Sequence, residues 1–312
     1  RCGMKKRGAV RPSYIFLFKV FPFFFCVMYN NIEININIDI FWGDCMSKNE
    51  KEYIRLCKYI LKNGVKKEDR TGTGTISVFG YQMRFNLQEG FPLLTTKKIN
   101  FLKVLGEYLA FLHGETNANT IAEKYGFKTW KLWADENGDL GPIYGKQWRS
   151  WEANGKVIDQ FNRVIEEIRS FPNSRRLIVS AWNVADLDRM ALPPCHTLFQ
   201  FYVSEGKLSL QLYQRSADVF LGLPFNIAGY STILMIVATM TGLEPYEVIH
   251  TIGDAHIYLN HVEQIKKQIK RKPRPLPTLK VRKRERIDDY WFDDFELIGY
   301  NPHPPINGEV SV

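Results

Sequence analysis

Gly222 to Thr241 is a long stretch without a single charged side chain. Its apolar residues, among them Ile227, Ile233, Leu234, Ile236, Val237 and Met240, recur at helical spacing and cover nearly the whole circumference. A helix without a polar face is stable only when surrounded, so this segment predicts a buried central helix. The elements that would wrap it are of both kinds. Helical spacing also marks 50–62, 100–113, 157–170 and 257–270. Strand-like runs occupy 75–86, 176–182, 196–204, 206–214 and 246–252, and the turn Ser204-Glu205-Gly206-Lys207 joins two of them as a hairpin. Antiparallel strands with scattered helices and no βαβ rhythm predict an α+β fold with a mixed, largely antiparallel sheet. The 312 residues, 45% of them hydrophobic, are enough for one large domain or two small ones.

The chemistry concentrates around one cysteine. Cys195 follows Pro193-Pro194 and leads into the strand-like run after His196. Proline fixes φ and donates no hydrogen bond, so the thiol stands where a rigid loop enters a sheet. A lone cysteine is ordinarily a small buried hydrophobe. Here, however, Gln214, Arg215, Ser216, Asp218 and Asn226 follow within a short span, a company that favours a nucleophile. His196 is the next residue along a strand and so points away, which disfavours a cysteine–histidine dyad. Glu107 is an acid inside the apolar helix 100–113; burial raises a carboxyl pKa and makes it a proton donor and acceptor near neutrality. The loop Asp69 to Thr75 has glycines and threonines but no Gly-Lys-Ser/Thr, which disfavours nucleotide triphosphate hydrolysis. Taken alone it reads as a mobile turn.

Several blocks carry a resemblance. They are Asp69-Arg70-Thr71-Gly72-Thr73-Gly74-Thr75, Asp135 to Pro142, Tyr144-Gly145-Lys146-Gln147-Trp148-Arg149, Ser174-Arg175-Arg176, Pro194-Cys195-His196, Gln211 to Ser216, and Gly253 to Tyr258. In this order they resemble thymidylate synthase, over about Met46 to Val312. The resemblance implies a two-fold homodimer. It implies reductive methylation of dUMP to dTMP, with 5,10-methylenetetrahydrofolate giving both carbon and hydride and leaving as dihydrofolate. It implies no metal and no nicotinamide.

The resemblance also distributes roles. Cys195 would add to pyrimidine C6, and cationic neighbours would favour its thiolate. Glu107 would move protons at the pyrimidine carbonyl and cofactor nitrogen, and Tyr144 would stand near the C5 proton. Arg70, Arg215 and Ser216 would hold the phosphate, with Arg175 and Arg176 arriving from the partner subunit; guanidinium forks suit a dianion. Gln214 and Asp218 would border the nucleotide, and His256 with Tyr258 would take the sugar 3′-hydroxyl. Asn226 would read the base, because one carboxamide satisfies the N3–H and O4 of uracil together, whereas cytosine needs the opposite pattern. Lys97 would meet the folate's glutamate tail. Asp218 would contact the pterin, with Trp130, Trp133, Leu192, Gly222 and Phe225 as walls. Asn100 and Ala217 depart from the family's usual residues. The alternatives are a pyrimidine nucleotide hydroxymethylase of the same fold and an RNA-binding role for the basic surface.

The net charge is +9, and residues 1–45 hold six Lys/Arg against three Asp/Glu, so a third of that excess lies there. Basic runs such as Lys270-Arg271-Lys272 and Arg282-Lys283-Arg284 lack interleaved aromatics and read as solvated faces. After Cys45 only Cys57 and Cys195 remain, which excludes a disulfide framework there and fits a reducing cytoplasm. Residues 1–45, basic then aromatic then alternating Asn and Ile, read as a family-foreign extension or upstream translation, with a targeting segment as the alternative.

Overall fold

The computed structural model describes residues 48–311; the expected extension at 1–45 lies outside them. In chain order, α1 is Lys48–Asn63, β1 Val65–Lys67, β2 Thr75–Asn86, α2 Phe101–Leu112, α3 Ala118–Lys124 and α4 Tyr144–Ser150. A small hairpin β3 (Trp151–Ala153) and β4 (Lys156–Ile158) precedes α5 (Gln160–Ser170). Then come β5 (Ile178–Ser180), β6 (His196–Ser204), β7 (Lys207–Asp218), α6 (Gly222–Thr241), β8 (Glu244–Tyr258) and α7 (Val262–Gln268). A second hairpin, β9 (Thr278–Val281) with β10 (Phe295–Ile298), lies near the C-terminus.

The frame is a six-stranded sheet in the order β1-β2-β8-β7-β6-β5. Every pairing is antiparallel except β7 with β8, which α6 joins as a parallel crossover. The fold is therefore α+β as expected, with one βαβ unit that the sequence pattern did not announce. α6 is the buried central helix: it packs on β7, β8 and α2, and Ile227, Ile233, Leu234, Ile236 and Val237 are fully buried. Each such side chain contributes roughly 1.5–3 kcal/mol of transfer free energy. Gly229 lets α6 meet α2, because a Cβ there would lie 1.9 Å from the Tyr108 ring.

The 204–207 turn is a hairpin turn with Glu205 at φ 51° and Gly206 at φ 74°, the paired left-handed conformation that matches strand twist. Along β6 and β7, Phe199, Phe201, Leu210 and Leu212 face α6, while Leu198, Tyr202 and Tyr213 face away. The helices cover one face of these strands. The other carries Leu198, Tyr202, Tyr213 and Ile178 in the open; Tyr202 is 65% exposed.

Several expected boundaries move. The helix expected at 157–170 starts at Gln160, because Asp159 accepts from Asn162 N as its cap and 156–158 is spent on a hairpin. The helix expected at 257–270 is only Val262–Gln268, since β8 runs through Tyr258. β7 and β8 outrun the expected 206–214 and 246–252, and β5 is shorter than 176–182. In β7 and β8 the extra length contains Arg215, Ser216, Asp218, Asp254 and His256, polar residues that break apolar alternation while the ladder continues.

Candidate active site

Strand register gathers the site at one end of the sheet. His196 pairs with Gln214, Ser216 with Asp254, Asp218 with His256, and Thr75 with Tyr258. Thus the start of β6, the ends of β7 and β8 and the loop before β2 share one edge. After β7 a short link, Val219–Leu221, leads into α6. Asp218 sets that entry by accepting from the N–H groups of Phe220 and Leu221 at 2.9 and 3.2 Å. The first turns of α6 then carry Asn226 back over Gln214, whose Nε2 donates to Asn226 Oδ1 at 3.0 Å.

Cys195 is half-buried with its thiol free. Its turn is held from three sides. Arg215 Nε donates to Pro194 O at 2.9 Å and Nη2 to Pro193 O at 2.7 Å, and Arg215 N donates to Cys195 O at 2.9 Å. The guanidinium lies over Trp182, 5.6 Å from the ring centroid. Proline carbonyls accept but proline nitrogens do not donate, so an outside donor is what this turn needs. From the third side, Cys195 N donates to Tyr144 Oη at 2.8 Å. The sequence did not mark Trp182, and it foresaw Arg215 as a phosphate ligand and a cation near the thiol, not as the clamp of its turn.

The thiol pKa is raised, because burial outweighs the lowering by Arg215. Arg215 is the cation that acts on this thiol among the described residues; Arg175 and Arg176 are expected to reach it only from a partner subunit. Arg175 and Arg176 lie in the loop before β5, not in a strand, and both are exposed. Phe201 N donates to Leu177 O, which places the two arginines at the far end of β6 from Cys195. Six residues of strand separate Tyr202 from His196, about 20 Å. Among the described residues neither guanidinium has an ion-pair partner. Arg70 is exposed in a loop that Asp69 organises: its carboxylate accepts from Thr71 N at 3.0 Å, Thr71 Oγ1 at 2.6 Å and Gly74 N at 2.7 Å. The loop is a built turn. Thr75 pairs with Tyr258 and Leu259 N donates to Gly74 O at 3.0 Å, so the loop stands beside the end of β8 that carries His256 and Tyr258.

Glu107 is buried on α2, where Trp130 Nε1 donates to its Oε1 at 3.0 Å. Burial pushes its carboxyl up to about 8, with the Trp130 hydrogen bond acting in the opposite sense. Trp130, expected only as a folate wall, thus also holds the acid. Tyr144 stacks on Phe111 at 4.8 Å, its hydroxyl pKa well raised by burial. His196 is buried and held neutral, its pKa pushed down to about 3 by burial. It packs among Tyr108, Tyr144 and Tyr230.

His256 and Tyr258 share a face of β8 with ring centroids 5.1 Å apart, and Asp254 sits 3.1 Å from His256 Nδ1. Trp133 lies 5.7 Å from Trp130, and Phe225 6.3 Å from Phe127; Leu192, Gly222 and Ser216 are half-buried nearby in sequence to Cys195, Asn226 and Arg215. Lys97 is buried. Its ammonium turns inward, donates to Phe220 O and lies 3.6 Å from the Phe220 ring centroid. Burial pulls its pKa down to about 8.

A family model for thymidylate synthase matches residues 51–312. The chain belongs to the thymidylate synthase family. It is accordingly an enzyme, a methyltransferase of dUMP, in a family whose cosubstrate is methylenetetrahydrofolate. The match takes in every segment that carries a candidate site residue, from the loop before β2 to β8.

Proposed function

We propose that the chain converts dUMP and 5,10-methylenetetrahydrofolate to dTMP and dihydrofolate through a covalent bond between Cys195 and pyrimidine C6. The observation that carries this reading is the gathering of a clamped thiol, an oriented carboxamide and a buried phenol at one sheet edge, with a buried acid of raised pKa on α2 linked to the phenol through Trp130. Cys195 supplies the nucleophile, and bond formation at C6 makes C5 nucleophilic toward the folate's one-carbon unit. The folate supplies that carbon and the hydride that completes the methyl group. Because the thiol pKa is raised without ligand, the site needs further positive charge or proton removal to reach thiolate. Arg70 and two arginines of a second copy bring that charge.

Glu107 is suited to move protons at the pyrimidine O4 side, since a carboxyl near 8 gives and takes protons at neutral pH. Tyr144 accepts from Cys195 N with its oxygen and keeps its own proton for a group above it. Asn226, with Oδ1 turned toward Gln214, keeps a second lone pair for uracil N3–H and Nδ2 for O4. Arg70, Arg215 and Ser216 take the phosphate, His256 and Tyr258 the sugar, and Trp130, Trp133, Leu192, Asp218, Gly222 and Phe225 the folate. Lys97 reaches the folate tail only by leaving Phe220.

Two features support a homodimer. Among the described residues no element covers one face of the sheet, and Arg175 and Arg176 stand about 20 Å of strand from their own Cys195. A two-fold axis through the open face would deliver them to the other chain's site. A reducing cytoplasm would keep Cys195 as the thiol.

The test is stoichiometric formation of dTMP and dihydrofolate by purified protein, with Cys195→Ser expected to lose turnover at least 1,000-fold while still binding dUMP, on the order of the loss for removing a nucleophile. A serine variant within about tenfold of wild type would remove Cys195 from the chemistry.

A further inference from the structure

Asn226 can discriminate uracil only if its amide points one way, and a carboxamide in isolation has two nearly equivalent orientations. The structure contains a chain of hydrogen bonds that decides between them. Gln214 Nε2 donates to two acceptors: Asn226 Oδ1 at 3.0 Å and the backbone carbonyl of Ser216 at 2.9 Å. A backbone carbonyl is an acceptor in every state, so Ser216 O favours the NH2 end of the Gln214 amide on its side, although a carbonyl at one end alone does not hold the other. Gln214 Oε1 must then face the other way, and there it meets His250 Nε2 at 2.7 Å. Two acceptors cannot share a proton that neither carries, so the imidazole must hold its proton on Nε2. His250 is fully buried on β8, beside Leu212 in the ladder, and burial keeps it neutral. Its single ring proton is therefore committed to Gln214, and Nδ1 is left buried without a partner.

We infer that His250 is a positioning residue for base selection: its Nε2–H pins Gln214, and Gln214 presents Asn226 with the polarity that fits uracil and rejects cytosine. The inference rests on the dUMP reading of the site. His250 touches no reacting group in this scheme. Its function is to satisfy Gln214 Oε1, which would otherwise be a buried acceptor with no donor, and so to make the required orientation of the relay the stable one. A buried acceptor left unpaired destabilises one amide orientation by enough to change a population about tenfold or more.

Two measurements test this. In wild-type protein with 13C,15N-labelled histidine, the His250 ring, assigned by through-bond correlation to its own backbone amide, is expected to show the neutral Nε2–H tautomer. A neutral Nδ1–H tautomer or a protonated ring would overturn the relay. Kinetically, His250→Phe fills the site but donates nothing; the ratio of kcat/KM for dUMP over dCMP is expected to fall about tenfold. His250→Gln puts an N–H donor near the position of Nε2 and is expected to recover the ratio to within about threefold of wild type. A folded phenylalanine variant with unchanged selectivity, or a glutamine variant no better than phenylalanine, would overturn the inference, since a purely packing role predicts no such rescue. If the variants fail to fold, the tautomer measurement decides alone. If wild-type protein turns over no dUMP, the functional reading fails, while the tautomer still reports on the relay.

Discussion

Replacing Glu107 by glutamine gives a quantitative test of how the site holds its acid. In the folded protein the carboxyl is raised from 4.5 to about 8, chiefly by burial. In the unfolded chain it returns to about the ordinary value. Below the unfolded pKa both states are protonated, and the favourable burial of the neutral acid is fully present. As pH rises the unfolded state releases its proton first, so stability falls until the folded carboxyl also ionises near 8. Each pH unit inside that window removes about 1.4 kcal/mol, so about 3 kcal/mol is lost between about pH 5.5 and 7.5. Glu107→Gln cannot ionise, and its amide oxygen can still accept from Trp130. Urea unfolding at the two pH values and one fixed protein concentration should therefore show the variant gaining about 3 kcal/mol on wild type from the lower pH to the higher. The same variant should lose activity, so catalysis and stability would move in opposite directions. If the two stability curves run parallel, within about 0.5 kcal/mol, Glu107 is not an acid held neutral by burial, and its assigned proton-transfer role loses its physical basis.

Trp130→Phe removes the N–H that favours the Glu107 carboxylate; the limb of the kcat–pH profile that reports this acid should move alkaline by about one to two units, as expected for a hydrogen bond to a charged group. Asn226→Asp should lower the kcat/KM ratio of dUMP over dCMP about tenfold or more, measured by competition between the two nucleotides. Arg175→Ala/Arg176→Ala and Cys195→Ala chains should each be nearly inactive alone, yet mixed dimers should regain at most about half the wild-type activity, because one site in two is intact. Gly229→Ala forces a methyl into the Tyr108 ring and should destabilise the fold by about 1–3 kcal/mol in thermal or urea unfolding.

Much of the fold was legible because its signals are local. The α6 segment announces burial by the absence of any polar face, and Glu205-Gly206 announces its turn by residue type. The ends of β7 and β8 were less legible because Arg215, Ser216, Asp218, Asp254 and His256 serve the site there, and a polar site erases the alternation that reveals a strand. The parallel β7–β8 pairing was hidden for a related reason: one crossover makes no rhythm. Within the site, Cys195, Asn226 and Glu107 stood out as residue types in unusual surroundings. Trp182, His250 and the inward turn of Lys97 did not, since each depends on a neighbour distant in sequence.

The double duty of Arg215 limits how this enzyme could be redesigned. Someone wishing to adapt it to a nucleoside without phosphate would naturally neutralise the guanidinium nearest the thiol. That change would also take two donors from Pro193 O and Pro194 O and a stacking cation from Trp182, so the nucleophile's turn would loosen together with the lost anion affinity. Lysine would not rescue it, because a single ammonium lacks the planar fork that reaches both carbonyls while lying flat on an indole. Among the described residues, the guanidinium groups of Arg70, Arg175 and Arg176 carry no such structural load, and these are the positions at which charge could be rewritten.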